Sequence, residues 1–399
     1  MSPRISHKPF FQHASDIARF YGFLPFTDLL KTAEKQQKNK IAVRVSKSNE
    51  HSITHSERFQ LLREFLSSPL TEIRDPHLIQ YSPGTTPIAR QKLKRFGIEV
   101  LRSGSSVAEA IVIQVAMAIL QEAGYRDIFV DINSIGNKDS RERFLRDVSN
   151  YYRSNIHLLP TECKDLLRRD IYQVLCYNHE ACQELREEAP KPMNYLTEGD
   201  RQHFKQVLEY LEYLNVPYRV NNVLANDPEC YTQTVFEIHS GNPDTLGMDE
   251  PLTAETLLAR GGRYDELPRR IGYRKNIPAV GASLFTDSKA FTGQKISPKK
   301  LTTNDPRVFL IQIGFDAKLV SMQVLEELRH AHIPVYQLLN RDRIGVQLQT
   351  AERMGVPYIM IIGQKEANER TILVRDMESR SQQSIPLSGL CKFLKKVAR

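Results

Sequence analysis

Downstream of Pro306, short apolar runs alternate with stretches in which apolar residues recur at helical spacing. Apolar runs typical of buried strands occupy residues 308–313, 335–339 and 358–362. Helical spacing occupies residues 319–328 and Ile344–Met354, and Gly355 closes the second stretch. The order strand, helix, strand, helix, strand with short connections predicts a small, mainly parallel α/β domain over residues 307–399.

Upstream of this region the pattern is mixed. Ser106 with Glu109 three residues later predicts a capping box that opens a helix through Leu120. Residues 139–214 are charged and helix-rich. Strands are predicted at residues 128–132, 218–220 and 234–238. This order favours an α+β domain with a mostly antiparallel sheet and a helical insertion over about residues 140–200.

Residues 291–306 separate the two patterns. The stretch combines Pro, Lys, Asn and Asp with few apolar residues, a composition typical of a linker. We therefore expect a core domain over residues 1–290 and a C-terminal domain over residues 307–399.

Length and composition restrict the class of protein. A chain of 399 residues with 41% hydrophobic content is long enough for two or three domains with their own cores. No apolar stretch approaches the roughly 18 residues of a membrane span, and residues 1–10 lack the apolar core of a signal peptide. Five cysteines, an odd number at low density, indicate a reducing compartment. We expect a soluble, cytoplasmic protein without a membrane partner.

A possible zinc site lies in the helix-rich region. Cys176, His179 and Cys182 are spaced three residues apart, and Cys163 lies upstream, which together supply enough ligands for zinc. The alternative is that the three residues share one partly buried helix face. Because the spacing forms no paired Cys-x-x-Cys motif, we favour the helix and expect no metal.

The charge favours a polyanionic partner. The chain has a net charge of +8 and a pI near 9.1. An ordinary solvated surface is the alternative explanation. The basic residues concentrate in three runs: Lys31, Lys35, Lys38, Lys40, Arg44 and Lys47; residues 289–300; and Lys392, Lys395, Lys396 and Arg399.

Three groups of motifs follow one another along the chain. They are residues 97–100 (Gly-Ile-Glu-Val) with 103–109 and 131–136; residues 234–237 (Thr-Val-Phe-Glu) with 260–265 (Arg-Gly-Gly-Arg-Tyr-Asp) and 278–281 (Pro-Ala-Val-Gly); and the region from Pro306 to the end. In order and spacing they resemble the histidyl-tRNA synthetases, a family of class II aminoacyl-tRNA synthetases. The resemblance implies an antiparallel class II sheet flanked by helices, a helical insertion and an α/β anticodon-binding domain. The periodicities predict the same layout independently.

The resemblance also implies a set of catalytic cations. Activation of an amino acid with ATP needs preorganised positive charge, and the family supplies one arginine in each of three motifs. Here Gln80 and Ser82 occupy the arginine and glutamate positions of motif 2, Asn226 the arginine of the histidine signature and Ser288 that of motif 3. Three lost charged hydrogen bonds amount to roughly 5–9 kcal/mol. That corresponds to about a thousandfold to a millionfold in rate.

Two further motifs align less directly. Residues 83–90 (Pro-Gly-Thr-Thr-Pro-Ile-Ala-Arg) resemble the Pro-Glu-Gly-Thr histidine-binding loop of the family, but that alignment leaves no room for motif 2 before Gly97. The chain can therefore match either the histidine-binding loop or motif 2 at this place, but not both. Motif 1, which builds the dimer interface in the family, aligns with residues 21–23 and a strand-like stretch at 24–30, where Leu29 replaces the proline. A homodimer is expected by analogy.

Several residues of the implied ligand pocket persist. Glu99 aligns with the acidic residue that contacts the substrate histidine in the family, and Tyr231 aligns with the second tyrosine of the histidine signature. Retention for packing and turn geometry is the alternative, and we favour it. The vestigial pocket predicted on these grounds consists of Glu99, Tyr231, Gly261, Gly262, Arg263 and Tyr264.

These observations favour a non-catalytic paralogue, without a cofactor, that binds tRNA, another RNA or a protein partner as a regulator. The kinase that senses uncharged tRNA carries a comparable histidyl-synthetase-like module. One alternative is a regulatory subunit of ATP phosphoribosyltransferase, although that family generally lacks the C-terminal domain. Another is a divergent active ligase that uses ATP and Mg²⁺ and recruits Arg90, Arg95 or Arg102 as replacement cations.

Overall fold

The computed structural model describes most of the chain. The described residues are 8–36, 56–82, 85–88, 91–169, 171–175, 177, 179–224, 230–242, 256–286, 307–338, 341 and 343–397. Within them, a nine-stranded sheet precedes residue 287 and a five-stranded sheet follows residue 306. The predicted linker at 291–306 lies outside the described residues.

The sheet of the core is mostly antiparallel. Its strands are β1 (Leu24–Pro25), β2 (His77–Tyr81), β3 (Thr85–Ile88), β4 (Gln91–Leu101), β5 (Ile128–Ser134), β6 (Tyr218–Val220), β7 (Thr232–Ser240), β8 (Leu257–Arg263) and β9 (Ala279–Thr286). Their order in space is β1-β2-β4-β9-β8-β7-β5-β6, and β3 also pairs with β4. Among the described strands of this sheet, only the outer pairs β1–β2 and β5–β6 are parallel. The prediction of a mostly antiparallel sheet is confirmed.

Helices cover both faces of this sheet. They are α1 (Lys8–Phe20), α2 (Phe26–Gln36), α3 (Ser56–Leu66), α4 (Val107–Glu122), α5 (Lys138–Ser154), α6 (Thr161–Arg169), α7 (Ile171–Leu175), α8 (Glu180–Glu188), α9 (Glu198–Tyr213) and α10 (Leu267–Arg270). Side chains alternate along β4, so Phe96, Ile98 and Val100 pack with α1 and α4. Leu101, on the other face, packs with α2 and α3. No described helix is both long and apolar enough to cross a membrane.

The helical insertion has a hydrophobic core of its own. Helices α5 to α8 bury Phe144, Val148 and Tyr152 together with Cys163 and Cys182. Helix α9 then returns to the sheet and packs against α4. The helical insertion predicted near residues 140–200 is confirmed.

The C-terminal domain has a mixed sheet. Its elements are β10 (Val308–Gln312), α11 (Phe315–His330), β11 (Val335–Gln337), α12 (Ile344–Met354), β12 (Tyr358–Ile362), α13 (Gln364–Glu369), β13 (Thr371–Asp376), β14 (Gln382–Pro386) and α14 (Leu390–Val397). The three predicted strands are parallel in the order β11-β10-β12. The predicted α/β domain is confirmed, but its sheet is mixed instead of mainly parallel, because β13 and β14 extend it with antiparallel pairs. Residues 382–386 bury only Ile385, so they show no apolar run.

A partly buried ionic cluster joins the two domains. Arg329 on α11 is 4% exposed and donates to Glu122 on α4 at 2.6 Å and to Glu326 at 2.5 Å. The hydroxyl of Tyr21 on α1 also donates to Glu326. The neighbouring His13 and Arg329 lower the pKa of Glu122 to about 2 against the effect of burial. These contacts, together with a shared apolar core, fix α11 against α1 and α4.

Two local predictions are wrong. Ser106 precedes α4 but makes no capping bond; its hydroxyl donates to Gln206 at 2.9 Å, and Glu109 turns inward to Arg263. The strand-like stretch at 24–30 is a two-residue strand followed by α2. Helical spacing explains this difference, because the side chains that α2 packs toward α3 recur three or four residues apart. They are Phe26, Leu29, Leu30 and Ala33. Dimer formation through this segment stays a prediction.

Candidate functional site

Two glycines create space on the face of the core sheet opposite α4. Glu99 on β4 pairs with Gly281 on β9, which pairs with Gly262 on β8. A Cβ atom at Gly281 would lie 1.4 Å from Glu99 Oε2, and one at Gly262 would lie 2.7 Å from the Tyr231 ring. Only glycine leaves room for these two side chains to lie against the strands.

The carboxylate of Glu99 is fully buried at the centre of the site. Its Oε1 accepts hydrogen bonds from Arg58 Nε at 3.0 Å and from the Tyr81 hydroxyl at 2.9 Å. Its Oε2 accepts one from the Tyr264 hydroxyl at 2.6 Å. Tyr81 reaches this position over Gly97, where a Cβ would come within 2.4 Å of the ring. Both carboxylate oxygens are therefore engaged by the chain's own donors.

Arg58, on α3, fills the space above Glu99. It is 3% exposed, and its Nη1 donates to the Tyr231 hydroxyl at 2.9 Å. Its guanidinium carbon lies 5.5 Å from the ring centroid of Tyr231 and 4.8 Å from that of Tyr264. At such distances the electron-rich faces of aromatic rings attract a cation. We call Tyr81, Glu99, Tyr231 and Tyr264 the tyrosine cage, and Arg58 occupies it.

Burial and charge fix the protonation of the cage. Burial lowers the pKa of Arg58, but Glu99 and the three surrounding tyrosines together outweigh burial and hold that pKa above its ordinary value. Burial first, and then Glu99, raise the pKa of both Tyr81 and Tyr264. Burial raises the pKa of Tyr231 to about 12. At neutral pH the cage therefore surrounds a charged guanidinium with three neutral phenols, each able to donate a hydrogen bond.

Comparison with known proteins gives the family. Residues 307–397 match the anticodon binding domain family. Over 308 residues the chain is 30% identical to the histidine–tRNA ligase of Halothermothrix orenii, an alignment that covers 77% of this chain and 71% of that protein. The chain belongs to the histidine–tRNA ligase family. The ligase of Fervidobacterium nodosum is 29% identical over 308 residues, covering 75% of this chain and 70% of that protein.

A solved structure extends the similarity in fold to both domains. Apo histidyl-tRNA synthetase from S. aureus matches with a TM-score of 0.50 and 20% identity, covering 97% of this chain and 95% of that chain. The resemblance to the histidine–tRNA ligase family, predicted from the motifs, is confirmed.

Most of the predicted pocket residues come together in this member of the family. Glu99, Tyr231 and Tyr264 belong to the tyrosine cage, and Gly262 lies against Tyr231. Gly261 instead allows close packing between strands, because a Cβ there would lie 2.5 Å from the main-chain oxygen of Gly281.

Arg263 points to the other face of the sheet. Its guanidinium donates to Glu109 on α4 at 2.7 and 2.5 Å and to the carbonyl of Ser103 at 2.9 Å. Neither Arg263 nor Glu109 has any exposed side-chain surface. Arg263 therefore holds α4 against the sheet and does not reach the tyrosine cage.

Gln80, which the sequence analysis predicts at the position of the motif 2 arginine, also points away from the cage. Gln80 is buried, and its amide donates to the carbonyl of Phe23 at 2.8 Å and that of Ser15 at 3.4 Å. The preceding Ile79 pairs with Glu99, so alternation sends Gln80 toward α1. The side chain that reaches the cage from β2 is Tyr81. Ser82 is exposed just beyond β2, while Asn226 and Ser288 lie outside the described residues.

A divergent active ligase would need replacement cations. The structure describes two of the three arginines considered for this role, and their surroundings differ. Arg95 is buried on β4, where burial lowers its pKa and the nearby Tyr231 opposes this effect. Arg102 donates to the carbonyl of Thr71, and its guanidinium carbon lies 5.9 Å from the Phe65 ring centroid. Arg102 therefore belongs to the packing around α3. Arg90 lies outside the described residues.

The cysteine-rich stretch shows no metal centre where it is described. Cys163 and Cys182 are buried neighbours, and burial followed by the Cys182 thiol raises the pKa of Cys163 to about 12. His179 accepts a hydrogen bond from the Ala181 amide at 3.3 Å at the start of α8. Cys176 lies outside the described residues. In the part of the chain that the structure describes, no group of three or more His, Cys, Asp or Glu is placed to hold a metal ion.

Sequence reasoning missed Arg58. A buried carboxylate needs a counter-charge, so Glu99 on a core strand implies a nearby cation. The sequence offers 55 Lys and Arg, however, and Arg58 carries no motif that distinguishes it. Only the packing of α3 over the sheet brings the two side chains together.

Proposed function

We propose that this member of the histidine–tRNA ligase family is non-catalytic and binds tRNA or another RNA through its C-terminal domain. The observation that supports the absence of catalysis is the filled tyrosine cage. In it, Arg58, Tyr81 and Tyr264 donate hydrogen bonds to both oxygens of Glu99. A free amino acid has to break this buried ion pair before it can contact Glu99. Breaking such a pair costs about 3–5 kcal/mol.

The predicted loss of the motif 2 arginine also supports the absence of catalysis. Phosphate and carboxylate groups are bound best by arginine, whose planar guanidinium donates bidentately. Gln80 is the residue predicted at the arginine position of motif 2, and its amide donates to main-chain carbonyls of the core. An amide in this environment supplies no positive charge to a triphosphate.

The C-terminal domain supports RNA binding by its charge. From Arg307 to the end it contains 14 Lys and Arg against 9 Asp and Glu. Helix α14 buries Leu390 and Leu394 and exposes Lys392, Lys395 and Lys396. A helix anchored by one apolar stripe presents its lysines at a fixed position, where they can neutralise phosphates.

Pyrophosphate exchange tests the loss of catalysis. The purified chain, ATP, Mg²⁺, histidine and labelled pyrophosphate are expected to give no exchange above the rate without histidine. The Halothermothrix orenii ligase, assayed in parallel, serves as the positive control. Robust histidine-dependent exchange would overturn the non-catalytic part and restore the divergent-ligase alternative.

Replacing Lys392, Lys395 and Lys396 together with alanine is expected to weaken tRNA binding and its salt dependence. Each phosphate contact contributes about 0.7–0.9 to the slope of log K against log salt, so three lost contacts lower the slope by roughly 2–3. Fluorescence anisotropy with a tRNA pool at about 50 and about 200 mM salt, concentrations that separate such slopes, measures both effects.

The matched control removes three exposed positive charges from core helices. Lys138, Arg168 and Lys205 are 64%, 78% and 68% exposed, and their replacement by alanine is expected to leave binding nearly unchanged. Equal weakening by both triple variants would assign the effect to net charge instead of α14. Absence of wild-type binding at the lower salt concentration would overturn the RNA-binding part.

A further inference from the structure

A cleft with a volume of about 380 Å³ lies between the core and the C-terminal domain. The core contributes the end of α1, strand β1 and the start of β2, and the C-terminal domain contributes β11 and the end of α12. Tyr21 lines this cleft and also donates to Glu326 in the partly buried ionic cluster, which therefore holds the two walls together. Sites for small molecules typically have volumes of about 300–1,000 Å³ and often lie between domains. We call this space the interdomain cleft.

Apolar side chains form most of the surface of the interdomain cleft. They come from both domains and include Leu24, Leu29, Leu78, Tyr336, Leu338 and Met354. Leu24, on the core side, is still 41% exposed, and Met354, on the C-terminal side, is 39% exposed. An apolar molecule in the cleft removes surface of both domains from water, which is favourable.

Two free strand edges supply main-chain hydrogen-bonding groups. Strand β11 pairs only with β10 among the described strands, and all five residues 334–338 line the cleft. Because side chains alternate between the faces of a strand, such a continuous run places the edge of the strand along the cleft. On the core side, β1 pairs with β2 only at Ile79 and Gln80, so the preceding His77 and Leu78 also present a free edge.

These edges are poorly suited to an added peptide strand. Pro76 and Pro334 line the cleft and lack a main-chain N–H, and β11 has only three residues. A peptide that extends a sheet depends on a run of main-chain hydrogen bonds. A compact molecule needs only one or two, so the interdomain cleft favours a small ligand.

The charges at the cleft favour a neutral ligand. Arg19 and Asp75 line it, and each has a partner: Arg19 lies 3.4 Å from Asp28, and Asp75 contacts Arg341. Burial lowers the pKa of His77, so its ring is neutral at neutral pH. The cleft therefore presents two charges of opposite sign that are already paired, and it offers no uncompensated charge to an ion.

One polar side chain is left for a ligand. Gln337 lines the cleft, and its amide nitrogen is buried without a hydrogen-bond partner among the described residues. A buried donor without a partner is unfavourable, so an acceptor oxygen placed beside it would be stabilising.

We propose that the interdomain cleft binds a small, neutral, largely apolar organic molecule that carries a hydrogen-bond acceptor. Its apolar body lies against the leucines of both domains, and its acceptor pairs with Gln337 or with a main-chain N–H of β11. The cleft shares no lining residue with the tyrosine cage or with α14, so this site is independent of the proposed function.

The dye Prodan is a suitable probe. It is a neutral naphthalene with one ketone and one dimethylamino group, and its emission shifts to the blue in apolar surroundings. With Prodan held at a low concentration and wild type added, a saturable blue shift is expected, with a dissociation constant on the order of 0.1 mM or below.

Four variants locate the bound dye. Leu24→Glu and Met354→Glu place a charge on either wall and are each expected to weaken binding at least about tenfold. Leu158→Glu and Ile344→Glu are the matched controls, because these side chains are 51% and 43% exposed but do not line the cleft. The controls are expected to bind like wild type. Far-UV circular dichroism verifies that all four variants are folded.

Three competitors test the charge of the ligand. The compounds 2-acetylnaphthalene, 2-naphthoate and 2-naphthylmethylammonium share one ring system and are neutral, anionic and cationic. The neutral ketone is expected to displace Prodan at least about tenfold more effectively than either ion.

Several results would overturn the proposal. They are the absence of a saturable shift with wild type, equal weakening by the control variants, and stronger displacement by either ion than by the ketone. A blue shift that declines while analytical ultracentrifugation shows the added protein forming dimers would assign the cleft to a second copy of the chain, and it would overturn the proposal as well.

Discussion

Arg263→Met is expected to lower the free energy of unfolding of the core by about 3–5 kcal/mol. Arg263 donates to both oxygens of Glu109, at 2.7 and 2.5 Å, and neither side chain is exposed. Methionine keeps much of the aliphatic stem, but it removes the counter-charge of the buried carboxylate, which keeps its hydrogen bond with the His203 ring at 2.6 Å. Urea unfolding followed by far-UV circular dichroism measures the loss.

An exposed arginine provides the matched control. Arg270 is 37% exposed and lies 3.7 Å from Glu266. Arg270→Met is expected to change the free energy of unfolding by less than about 1 kcal/mol, because water screens the pair. Equal effects of the two substitutions would contradict the view that the Arg263–Glu109 pair holds α4 against the sheet.

The Arg263–Glu109 pair also predicts that the free energy of unfolding depends on pH. Burial raises the pKa of Glu109, but Arg263 and His203 outweigh it and lower that pKa to about 2. In the unfolded chain a glutamate has a pKa of about 4.3. The pair therefore stabilises the folded state fully above about pH 4.3 and loses its contribution as the pH falls toward about 2. Urea unfolding at about pH 7, 5 and 3 is expected to show the difference between wild type and Arg263→Met narrowing at the lowest pH.

The C-terminal domain shows how far periodicity predicts structure. Helix α12 and strand β12 have the predicted bounds, because an apolar stripe ends at Gly355, where φ is 64°, and a continuous apolar run follows. Strand β14 escapes prediction, since Ile385 is the one residue it buries. Strand β13 also escapes prediction, although it buries Ile372 and Val374, so continuous apolar runs are recognised more readily than strands in which buried and partly buried residues alternate.

Side-chain partners depend on contacts that local spacing does not contain. Ser106 and Glu109 have the spacing of a capping box, yet Glu109 pairs with Arg263, which is 154 residues away. A cap contributes about 1 kcal/mol, less than the cost of leaving a buried arginine unpaired, so the ion pair prevails. The resemblance predicts Glu99, whereas its partner Arg58 lies 41 residues upstream in a segment without a motif. The sequence therefore predicts the sheet and part of the pocket, but not what fills it.

Gly281→Ala is expected to be at least as destabilising as Arg263→Met, with a loss of about 3 kcal/mol or more. The new Cβ would lie 1.4 Å from Glu99 Oε2 and 2.1 Å from its Cδ, on a strand whose hydrogen bonds hold the backbone in place. Glu99 therefore has to leave its position beside Arg58, which adds the separation of a buried ion pair to the steric cost. Urea unfolding gives the magnitude.

The control is the same substitution at Gly345 in α12, where a Cβ atom would meet no described neighbour within 4 Å. Alanine favours helices over glycine by up to about 1 kcal/mol, so Gly345→Ala is expected to be neutral or stabilising. The difference between the two variants in free energy of unfolding therefore reports the steric cost of the methyl group added at Gly281. If Gly281→Ala proved as benign as Gly345→Ala, Glu99 could not lie over Gly281, and the geometry of the tyrosine cage would be wrong.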